Sequence, residues 1–373
     1  MLYTRMPIEI ESPEQLGYDT IKNNLSESSY TDAYLRDTGI PPEIWKDVLL
    51  CYGSHKGHDA MRELLTKDSP VLNADDVLLT VGAAGALFIV ATSLLQPGDE
   101  MIVVRPNYAT NIETPKAIGA NIRYIDLKFE EGFRLDLDAI RQNTSPKTKY
   151  ISVTYPHNPT GACLTDAELV ELVSIAEAAN TRLLVDETYR DMAFRDPLPL
   201  AASYSDRIIS VSSLSKTYGL PGIRVGWIIC RDAKLMETFL AAKEQMYICG
   251  STLDETVAFH YLQQKDSRLP AIRKDLAARF QLVKDWMGRQ DRFTWIEPTG
   301  GCVAFPKIRH PENIDLDKFY TILLEKYGTY VGPGHWFEMP RHFMRVGYGW
   351  PDRISLQQGL EALTRSLAEA TRH

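Results

Sequence analysis

Seven short apolar segments, most of them rich in β-branched residues, recur between residues 77 and 230. They are VLLTVG (77–82), EMIVVRP (100–106), NIRYIDL (121–127), KYISVTY (149–155), TRLLVDE (181–187), RIISVSS (207–213) and RVGWIIC (224–230). Near-continuous apolar strands of this kind are typical of a parallel sheet covered on both faces. Helical patterns lie between several of them, and a capping box from Thr165 to Glu168 predicts a helix to about Ala179. This alternation predicts a doubly wound α/β core.

The pattern changes after about residue 230. It predicts long helical segments over 233–264 and 270–290, then short strands in FTWIEP, GGCVAFPKI and HFMRVGYG, and helices over 315–327 and 354–370. A chain of 373 residues is expected to hold more than one core. We therefore predict a large domain over 41–264 and a smaller α+β domain that combines 1–40 with 265–373.

Composition narrows the function classes. The net charge of -8 argues against sequence-independent binding to nucleic acid, which requires a basic surface. The five cysteines have no C-x-x-C spacing, so we expect neither a disulfide framework nor a metal site. The N-terminal segment lacks a continuous apolar region, and no apolar run is long enough to span a bilayer. These features predict a cytoplasmic protein without a membrane or nucleic-acid partner.

The segment SLSKTYGLPGIRVG (213–226) places Lys216 in a Ser- and Gly-rich turn after an apolar strand, with Arg224 eight residues later. A lysine amine in such a site can condense with an aldehyde and act as a base. Serine hydroxyls and an arginine fork suit a phosphate monoester. Taken alone, the segment is better explained as a surface loop that happens to contain a lysine.

Other polar residues follow neighbouring predicted strands. Asp186 ends LLVD, where a buried carboxylate is costly unless it pairs with a cation such as a protonated pyridine. Asn158 lies in the turn NPTG, and Tyr108 follows Pro106 at the end of another strand. The segment TVGAAGAL (80–87) leads from a strand into a helix start that can bind an anion. Each motif also has an ordinary structural explanation as a cap, a turn or a packing site.

Their combination is far more specific. The motifs N-P-T-G, D-x-x-Y and S-x-S-K, with an arginine eight residues after the lysine, resemble those of class I and II aminotransferases. These enzymes belong to fold type I of the pyridoxal-phosphate (PLP) enzymes. The resemblance extends from about Tyr52 to Arg345. It implies an α/β fold, with a large domain built on a mostly parallel doubly wound sheet and a smaller α+β domain. It also implies an enzyme that acts at the α-carbon of an amino acid.

The resemblance assigns roles around the cofactor ring. It implies that Lys216 holds PLP as a Schiff base and moves the proton at the substrate α-carbon. Asp186 would pair with the pyridine nitrogen, and Tyr189 would bind the ring oxygen. Asn158 would bridge the ring oxygen and the substrate carboxylate, and Tyr108 would stack on the ring.

A second set of roles concerns the phosphate. The resemblance implies that the backbone of Ala83 and Ala84, with Ser213 and Arg224, holds this group. Tyr52 matches a tyrosine that reaches the phosphate of the neighbouring subunit. A homodimer with shared active sites is therefore implied.

The substrate end of the site departs from the usual family pattern. Arg345 matches the arginine that grips the substrate α-carboxylate. Most members carry a short apolar–Gly–x–Pro stretch near the N-terminus, but this chain has Ser26, Glu27 and Ser28 there. No second arginine for a distal carboxylate can be identified. Glu27 suits a basic substrate side chain, although it is equally consistent with a solvated loop residue.

The segments NLSES, YGSHKG and AAKEQ resemble one branch of the family, the capreomycidine and enduracididine synthases, which cyclise hydroxylated arginines. In that branch the side-chain hydroxyl is lost and a guanidine nitrogen closes a five- or six-membered ring. Glu9 and Ser12 would then belong to a lid over the substrate.

Three hypotheses remain. The altered N-terminal loop and the missing distal arginine favour a cyclodehydratase of a hydroxylated arginine, which we take as the leading hypothesis. Family frequency favours an ordinary aminotransferase that exchanges its amino group with 2-oxoglutarate or another oxo acid. A non-catalytic PLP-fold module is disfavoured by the intact Lys216.

Overall fold

A computed structural model describes residues 1–372 of the chain. Its strands are β1 (Asn23–Leu25), β2 (Val77–Val81), β3 (Glu100–Arg105), β4 (Asn121–Asp126), β5 (Thr148–Thr154), β6 (Arg182–Asp186), β7 (Ile208–Ser213), β8 (Val225–Ile229), β9 (Phe293–Thr294), β10 (Val303–Ala304), β11 (Lys307–Ile308), β12 (Thr329–Pro333) and β13 (Met344–Gly347).

The α-helices alternate with these strands over the first two thirds of the chain. They are α1 (Pro7–Ile10), α2 (Pro13–Leu16), α3 (Pro42–Lys46), α4 (Asp59–Thr66), α5 (Gly82–Leu94), α6 (Thr110–Ile118), α7 (Leu137–Asn143), α8 (Asp166–Ala178), α9 (Ala233–Tyr247), α10 (Thr252–Leu262), α11 (Lys265–Met287), α12 (Leu316–Thr321) and α13 (Arg353–Glu369). Within residues 1–372, no helix combines the length and apolar character needed to cross a bilayer.

The seven predicted strands of the large domain form one sheet, in the order β2-β8-β7-β6-β5-β3-β4. All neighbours pair in parallel except β8, which runs antiparallel to both β2 and β7. Apolar clusters cover both faces of the sheet, which explains the near-continuous hydrophobic strands. The predicted mostly parallel α/β fold is therefore confirmed. Because β5, β6 and β7 are parallel, their carboxyl ends lie at one edge of the sheet, where ligand sites form in such folds.

A smaller sheet has the order β1-β12-β13-β10. In it β1, near the N-terminus, pairs in parallel with β12, more than 300 residues later. Helices α11 and α13 pack over this sheet through a second core that includes Leu276, Leu356 and Leu360. The N-terminal segment and the C-terminal part of the chain thus share one sheet. We propose the division at 40/41 and 264/265 as the domain boundary on this basis.

Three helical predictions need correction. The segment 233–264 is not one helix, because the chain breaks between α9 and α10 at Ile248, whose φ is +61°. The next helix, α11, begins at Lys265 rather than at residue 270 and contains Pro270 in its first two turns. At this sixth position the proline removes one interior hydrogen bond, to the Asp266 carbonyl, and the helix continues through it. The helix predicted over 315–327 is α12 followed by a π-helical turn over Ile322–Lys326.

Candidate active site

Most of the predicted site residues line one cavity of about 240 Å³ at the carboxyl ends of β5, β6 and β7. Those that line it are Ser26, Glu27, Ala83, Ala84, Tyr108, Asn158, Asp186, Tyr189, Ser213, Lys216, Arg224 and Arg345, together with Ser12 and Ser28. They come from segments more than 300 residues apart, and from both sheets. The cavity lies between the large sheet and the N-terminal segment.

Asp186 is the last residue of β6, and its side chain is buried. Its carboxylate accepts hydrogen bonds from the backbone N–H and the hydroxyl of Thr188. Burial raises the pKa of this carboxyl, while the Thr188 hydrogen bonds and the charge of Lys216 oppose that rise. A buried carboxylate with a raised pKa is stabilised by a cation placed against it. A protonated pyridine nitrogen fits this position.

Lys216 lies in the turn after β7 and is only partly exposed, toward the cavity. Burial lowers the pKa of its amine, the charge of Glu27 opposes that shift, and the charge of Arg345 adds to it. A lower pKa leaves more of the amine neutral, and the neutral amine is both the nucleophile and the base. The backbone carbonyl of Lys216 also accepts a hydrogen bond from the Tyr30 N–H at 2.8 Å, which ties the N-terminal segment to this turn.

A cationic pocket forms where α5 begins. Arg224 reaches across Gly82, the first residue of α5, and its guanidinium donates to the Ser215 hydroxyl at 3.3 Å and to the Pro221 carbonyl at 2.9 Å. A Cβ on Gly82 would lie 2.5 Å from a guanidinium nitrogen of Arg224, so only glycine leaves room for this arrangement. A helix N-terminus, a guanidinium and serine hydroxyls together fit a phosphate monoester.

This geometry predicts the effect of Gly82→Ala. Gly82 has a φ of +68°, and an added methyl group would displace Arg224, so we expect the dissociation constant for PLP to rise by about tenfold or more. Titration of the apoenzyme with PLP measures this. Gly85→Ala is the matched control, because a Cβ at Gly85, on the same helix, would meet its nearest neighbour only at 3.7 Å. Equal effects of the two substitutions would contradict the assignment.

The opposite end of the cavity is formed by Arg345, which lies buried in β13. Its guanidinium donates to the Asn158 side-chain oxygen at 3.1 Å and to the Ser26 backbone oxygen at 2.6 Å. Its Nε is buried and has no hydrogen-bond partner within residues 1–372. Buried polar groups are normally paired, so this unpaired N–H, on an arginine that lines the cavity, fits a site for an anion such as a carboxylate.

Sequence reasoning placed Glu9 and Ser12 of the N-terminal segment over the substrate, and Ser12 lines the cavity, but other residues of this wall were missed. Ile8, Pro13 and Glu14 line the cavity, and so does Trp336 from the small domain. Glu11 joins the two, because its carboxylate accepts from the indole N–H of Trp336 at 2.7 Å and lies 2.8 Å from Nε2 of His335. The helices α1 and α2 have four residues each, which is too short for a helical period to be visible in the sequence.

Glu27 stands among acidic neighbours at the cavity mouth. Burial raises the pKa of its carboxyl, and the charges of Glu14 and Asp32 raise it further, while Lys216 and Arg345 act in the opposite direction. The Tyr18 hydroxyl donates to the Glu27 carboxylate at 3.4 Å. Glu27 and Glu14 thus add two carboxyl groups to a cavity that also contains the cations Lys216 and Arg345.

Two predicted residues lie elsewhere. Glu9 does not line the cavity; its carboxylate turns back to the first turn of α1 and accepts from the Met6 backbone N–H at 3.1 Å. Tyr52 is 80% exposed and borders a shallow surface groove between the segments 50–52 and 247–253. From this position the Tyr52 side chain does not contact the cavity of its own subunit.

Comparisons with known proteins agree on the family. Residues 45–363 match the model of the class I and II aminotransferases. Capreomycidine synthase of Streptomyces vinaceus is 32% identical over 79% of this chain and 75% of its own length. Arginine–pyruvate transaminase AruH of Pseudomonas aeruginosa is 29% identical over 78% of this chain and 77% of its own length.

A solved structure extends the likeness over the whole fold. The PLP-dependent cyclase OrfR superimposes with a TM-score of 0.89 at 26% identity, and the match covers 99% of this chain and 98% of that one. The predicted fold type I architecture is confirmed by these matches. The cavity also offers a place for each part of PLP. The chain is therefore a PLP-dependent enzyme and belongs to the class I and II aminotransferase family.

Proposed function

We propose that this enzyme is a cyclodehydratase of a hydroxylated arginine. The observation that carries the proposal is the pair of carboxylates, Glu27 and Glu14, in the same cavity as Lys216 and Arg345. Class I and II aminotransferases that take dicarboxylates need positive charge for the distal group, whereas the lining of this cavity adds the carboxylates of Glu14 and Glu27. A guanidinium is the side-chain group that pairs with carboxylates in a planar, bidentate geometry.

The energetics favour a cationic side chain. The carboxyl of Glu27 is held at a raised pKa by burial and by the acidic neighbours Glu14 and Asp32. A guanidinium in the cavity would relieve this repulsion and stabilise the ionised carboxylates. A neutral or acidic substrate side chain would leave the repulsion in place.

The remaining residues account for the reaction centre. When bound, PLP supplies an aldehyde for the substrate amine and an electron-withdrawing ring that makes the α-proton acidic. Arg345 binds the substrate α-carboxylate and fixes its orientation, and Asp186 keeps a positive charge on the pyridine nitrogen. Lys216, with its lowered pKa, takes the proton from the α-carbon. These roles are common to cyclisation and transamination.

The proposed overall change is balanced without a second substrate. The C–O bond to the side-chain hydroxyl breaks, a C–N bond to a guanidine nitrogen forms, and one molecule of water leaves. The α-amino group stays on the product, so neither an oxidant nor an oxo acid is consumed. The likeness to capreomycidine synthase and to the PLP-dependent cyclase OrfR supports this reaction.

The second candidate is transamination of arginine or a related amino acid. The likeness to an arginine–pyruvate transaminase favours it, and the acidic cavity mouth suits its substrate equally well. In that reaction the amino group leaves the substrate and an oxo acid must accept it. The two candidates therefore differ in nitrogen balance.

We further propose a homodimer that shares its active sites. Tyr52 is accompanied on the surface by Leu49 and Leu50, which are 74% and 75% exposed, and by the partly exposed Ile248 and Leu253. Exposed apolar side chains grouped in this way indicate a protein interface. A second copy docked there would bring Tyr52 toward the neighbouring cofactor site.

Product mass distinguishes the two reactions. Holoenzyme is incubated with arginine and its 3- and 4-hydroxy forms, with and without 2-oxoglutarate or pyruvate. We expect a hydroxyarginine to lose one water, keep all its nitrogens and need no oxo acid. An oxo-acid product that forms only with an acceptor present would establish the transaminase instead.

The substitution Glu27→Gln tests whether the cavity carboxylates Glu27 and Glu14 recognise a guanidinium. We expect arginine to bind about tenfold or more weakly, because one charge-assisted interaction is lost, while its neutral isostere citrulline is little affected. Spectroscopic titration of the holoenzyme gives both dissociation constants. Glu9→Gln is the control, since Glu9 lies outside the cavity. An equal loss of affinity for both ligands in Glu27→Gln would refute guanidinium recognition.

A further inference from the structure

The segments YGSHKG and AAKEQ, separated by almost 190 residues, form one structural unit. Lys243, in the middle of α9, is fully buried, and its amine donates to the His55 backbone carbonyl at 2.6 Å. A buried ammonium is unfavourable unless it is paired and hydrogen-bonded. Its partner is a loop without helix or strand, residues 51–58, which we call the Tyr52 loop.

Glu255, on α10, holds the other end of the same loop. It is buried, and its carboxylate accepts from the His58 backbone N–H at 2.8 Å. Burial raises the pKa of Glu255 and lowers that of Lys243, and in each case the charge of the other residue is the main opposing effect. The two side chains therefore stabilise each other while each binds a backbone group of the loop.

Further contacts fix the loop without touching Tyr52. The Thr252 hydroxyl donates to the Cys51 carbonyl at 3.0 Å. The Leu79 N–H donates to the Lys56 carbonyl at 2.9 Å. Gly57 has a φ of +101°, and a Cβ there would lie 2.4 Å from the Leu79 side chain, so the loop packs tightly against the large sheet. A firmly held loop thus presents a tyrosine that is 80% exposed.

We infer that Lys243 and Glu255 are positioning residues that hold the Tyr52 loop so that Tyr52 enters the cofactor site of the neighbouring subunit. The inference rests on the proposed homodimer. It explains why two opposite charges are buried outside the cavity of their own subunit. The pair would act on the partner's phosphate site rather than on its own.

A change at Lys243 could also reach the phosphate pocket of its own subunit, through another residue of α9. The hydroxyl of Tyr247, at the end of α9, accepts from the Val81 N–H at 3.3 Å, next to the start of α5. Through this contact a disturbed α9 would alter the phosphate pocket of the same subunit. The test must therefore separate action within a subunit from action between subunits.

The variant Lys243→Met with Glu255→Gln is designed to keep the protein folded. Lys243→Met alone would leave a buried carboxylate without its counter-charge, which risks unfolding. In the pair variant both charges are gone, and a glutamine oxygen still accepts from the His58 N–H. Glu237→Gln is the matched control on the same helix, because Glu237 is exposed and its carboxylate has no hydrogen bond or ion pair to the Tyr52 loop.

The first measurement is PLP affinity of the apoenzyme. We expect the pair variant and Tyr52→Phe each to raise the dissociation constant by about tenfold, because one hydrogen bond to a charged group is lost. Combining the two changes should add nothing further, since both remove the same contact. Glu237→Gln should leave the affinity unchanged. Additive losses would overturn the inference.

The second measurement uses mixed dimers purified through two different tags. One subunit carries Lys216→Ala and the other carries the pair variant. The site that retains Lys216 then receives an undisturbed Tyr52 loop, so we expect wild-type PLP affinity and half the wild-type turnover. If both changes are placed in one subunit opposite a wild-type partner, the remaining site should lose affinity.

The reverse pattern would overturn the inference and assign the effect to the Tyr247 route, and a monomeric enzyme would overturn it as well. This test does not depend on which reaction the enzyme catalyses, because any turnover of the wild-type enzyme can be used as the readout. A transaminase outcome in the product assay would therefore leave the positioning role standing.

Discussion

Lys216→Ala is expected to abolish both the Schiff-base absorbance band and turnover. Lys216 is the lysine of the cavity, and its lowered pKa keeps a larger neutral fraction of the amine than an ordinary lysine has. Loss of a positioned proton-transfer group typically lowers rates by about 10²- to 10⁴-fold, and the covalent link is lost too. We therefore expect kcat to fall by at least about 10³-fold. Absorbance spectra and steady-state rates measure the two effects.

The phosphate pocket should survive this substitution. Gly82, Arg224 and the serines of the turn do not depend on the Lys216 amine for their contacts. PLP should still bind reversibly, and added methylamine should restore part of the proton transfer. A Schiff-base band that persists in Lys216→Ala would show that another amine carries the cofactor. Lys149→Ala, an exposed lysine paired with Asp99, should change neither the spectrum nor the rate.

The large sheet was predictable because its strands are buried on both faces. Seven apolar segments matched β2 to β8 closely. Helices cover both faces of this sheet, so most positions of its strands are apolar and the hydrophobic pattern is nearly continuous. The capping box at Thr165 marked the start of α8 for an equally local reason, because its two hydrogen bonds lie within four residues.

The missed elements depend on contacts between distant residues. The strand β1 consists of Asn23, Asn24 and Leu25, and its asparagines are buried only because it pairs with β12; the Asn23 amide donates to Thr329. The break between α9 and α10 was hidden because the helical pattern continues on both sides of it. Only the positive φ of Ile248 reveals that the chain turns there. Tertiary packing overrides local propensity at both places.

The candidate site was predicted unevenly for a similar reason. Residues that follow strands of the large sheet, such as Asp186, Asn158 and Lys216, line the cavity as expected, because parallel strands end at the same edge. The N-terminal wall was placed less well. Glu9 was assigned to it, whereas Glu14 lines the cavity and Glu11 binds Trp336. Which acid faces inward depends on where two four-residue helices begin and end, and the sequence does not encode that visibly.

Asp186→Asn is expected to separate stability from activity. Burial raises the pKa of Asp186 in the cofactor-free protein, so its ionised form is less stable in the folded state than in the unfolded chain. When the folded-state pKa is raised, the carboxyl stabilises the fold only while it is protonated. As the pH rises past the pKa of the unfolded chain, this contribution is progressively lost, and at neutral pH the ionised carboxylate destabilises the fold. Asparagine removes this cost and still offers an oxygen to Thr188. The melting temperature of the apoenzyme should therefore rise by roughly 2 °C or more.

The same substitution should disable the holoenzyme. Without the carboxylate, nothing at the end of β6 holds a proton on the pyridine nitrogen, and the ring withdraws electrons less strongly. Removing one such electrostatic group lowers kcat by about 10²- to 10³-fold. Asp186→Glu keeps the charge, so it should retain more activity than asparagine while the apoenzyme gains no stability. In Asp186→Asn, the melting temperature of the apoenzyme, measured by calorimetry, must rise while kcat of the holoenzyme falls. If both fall, Asp186 supports the fold rather than the cofactor.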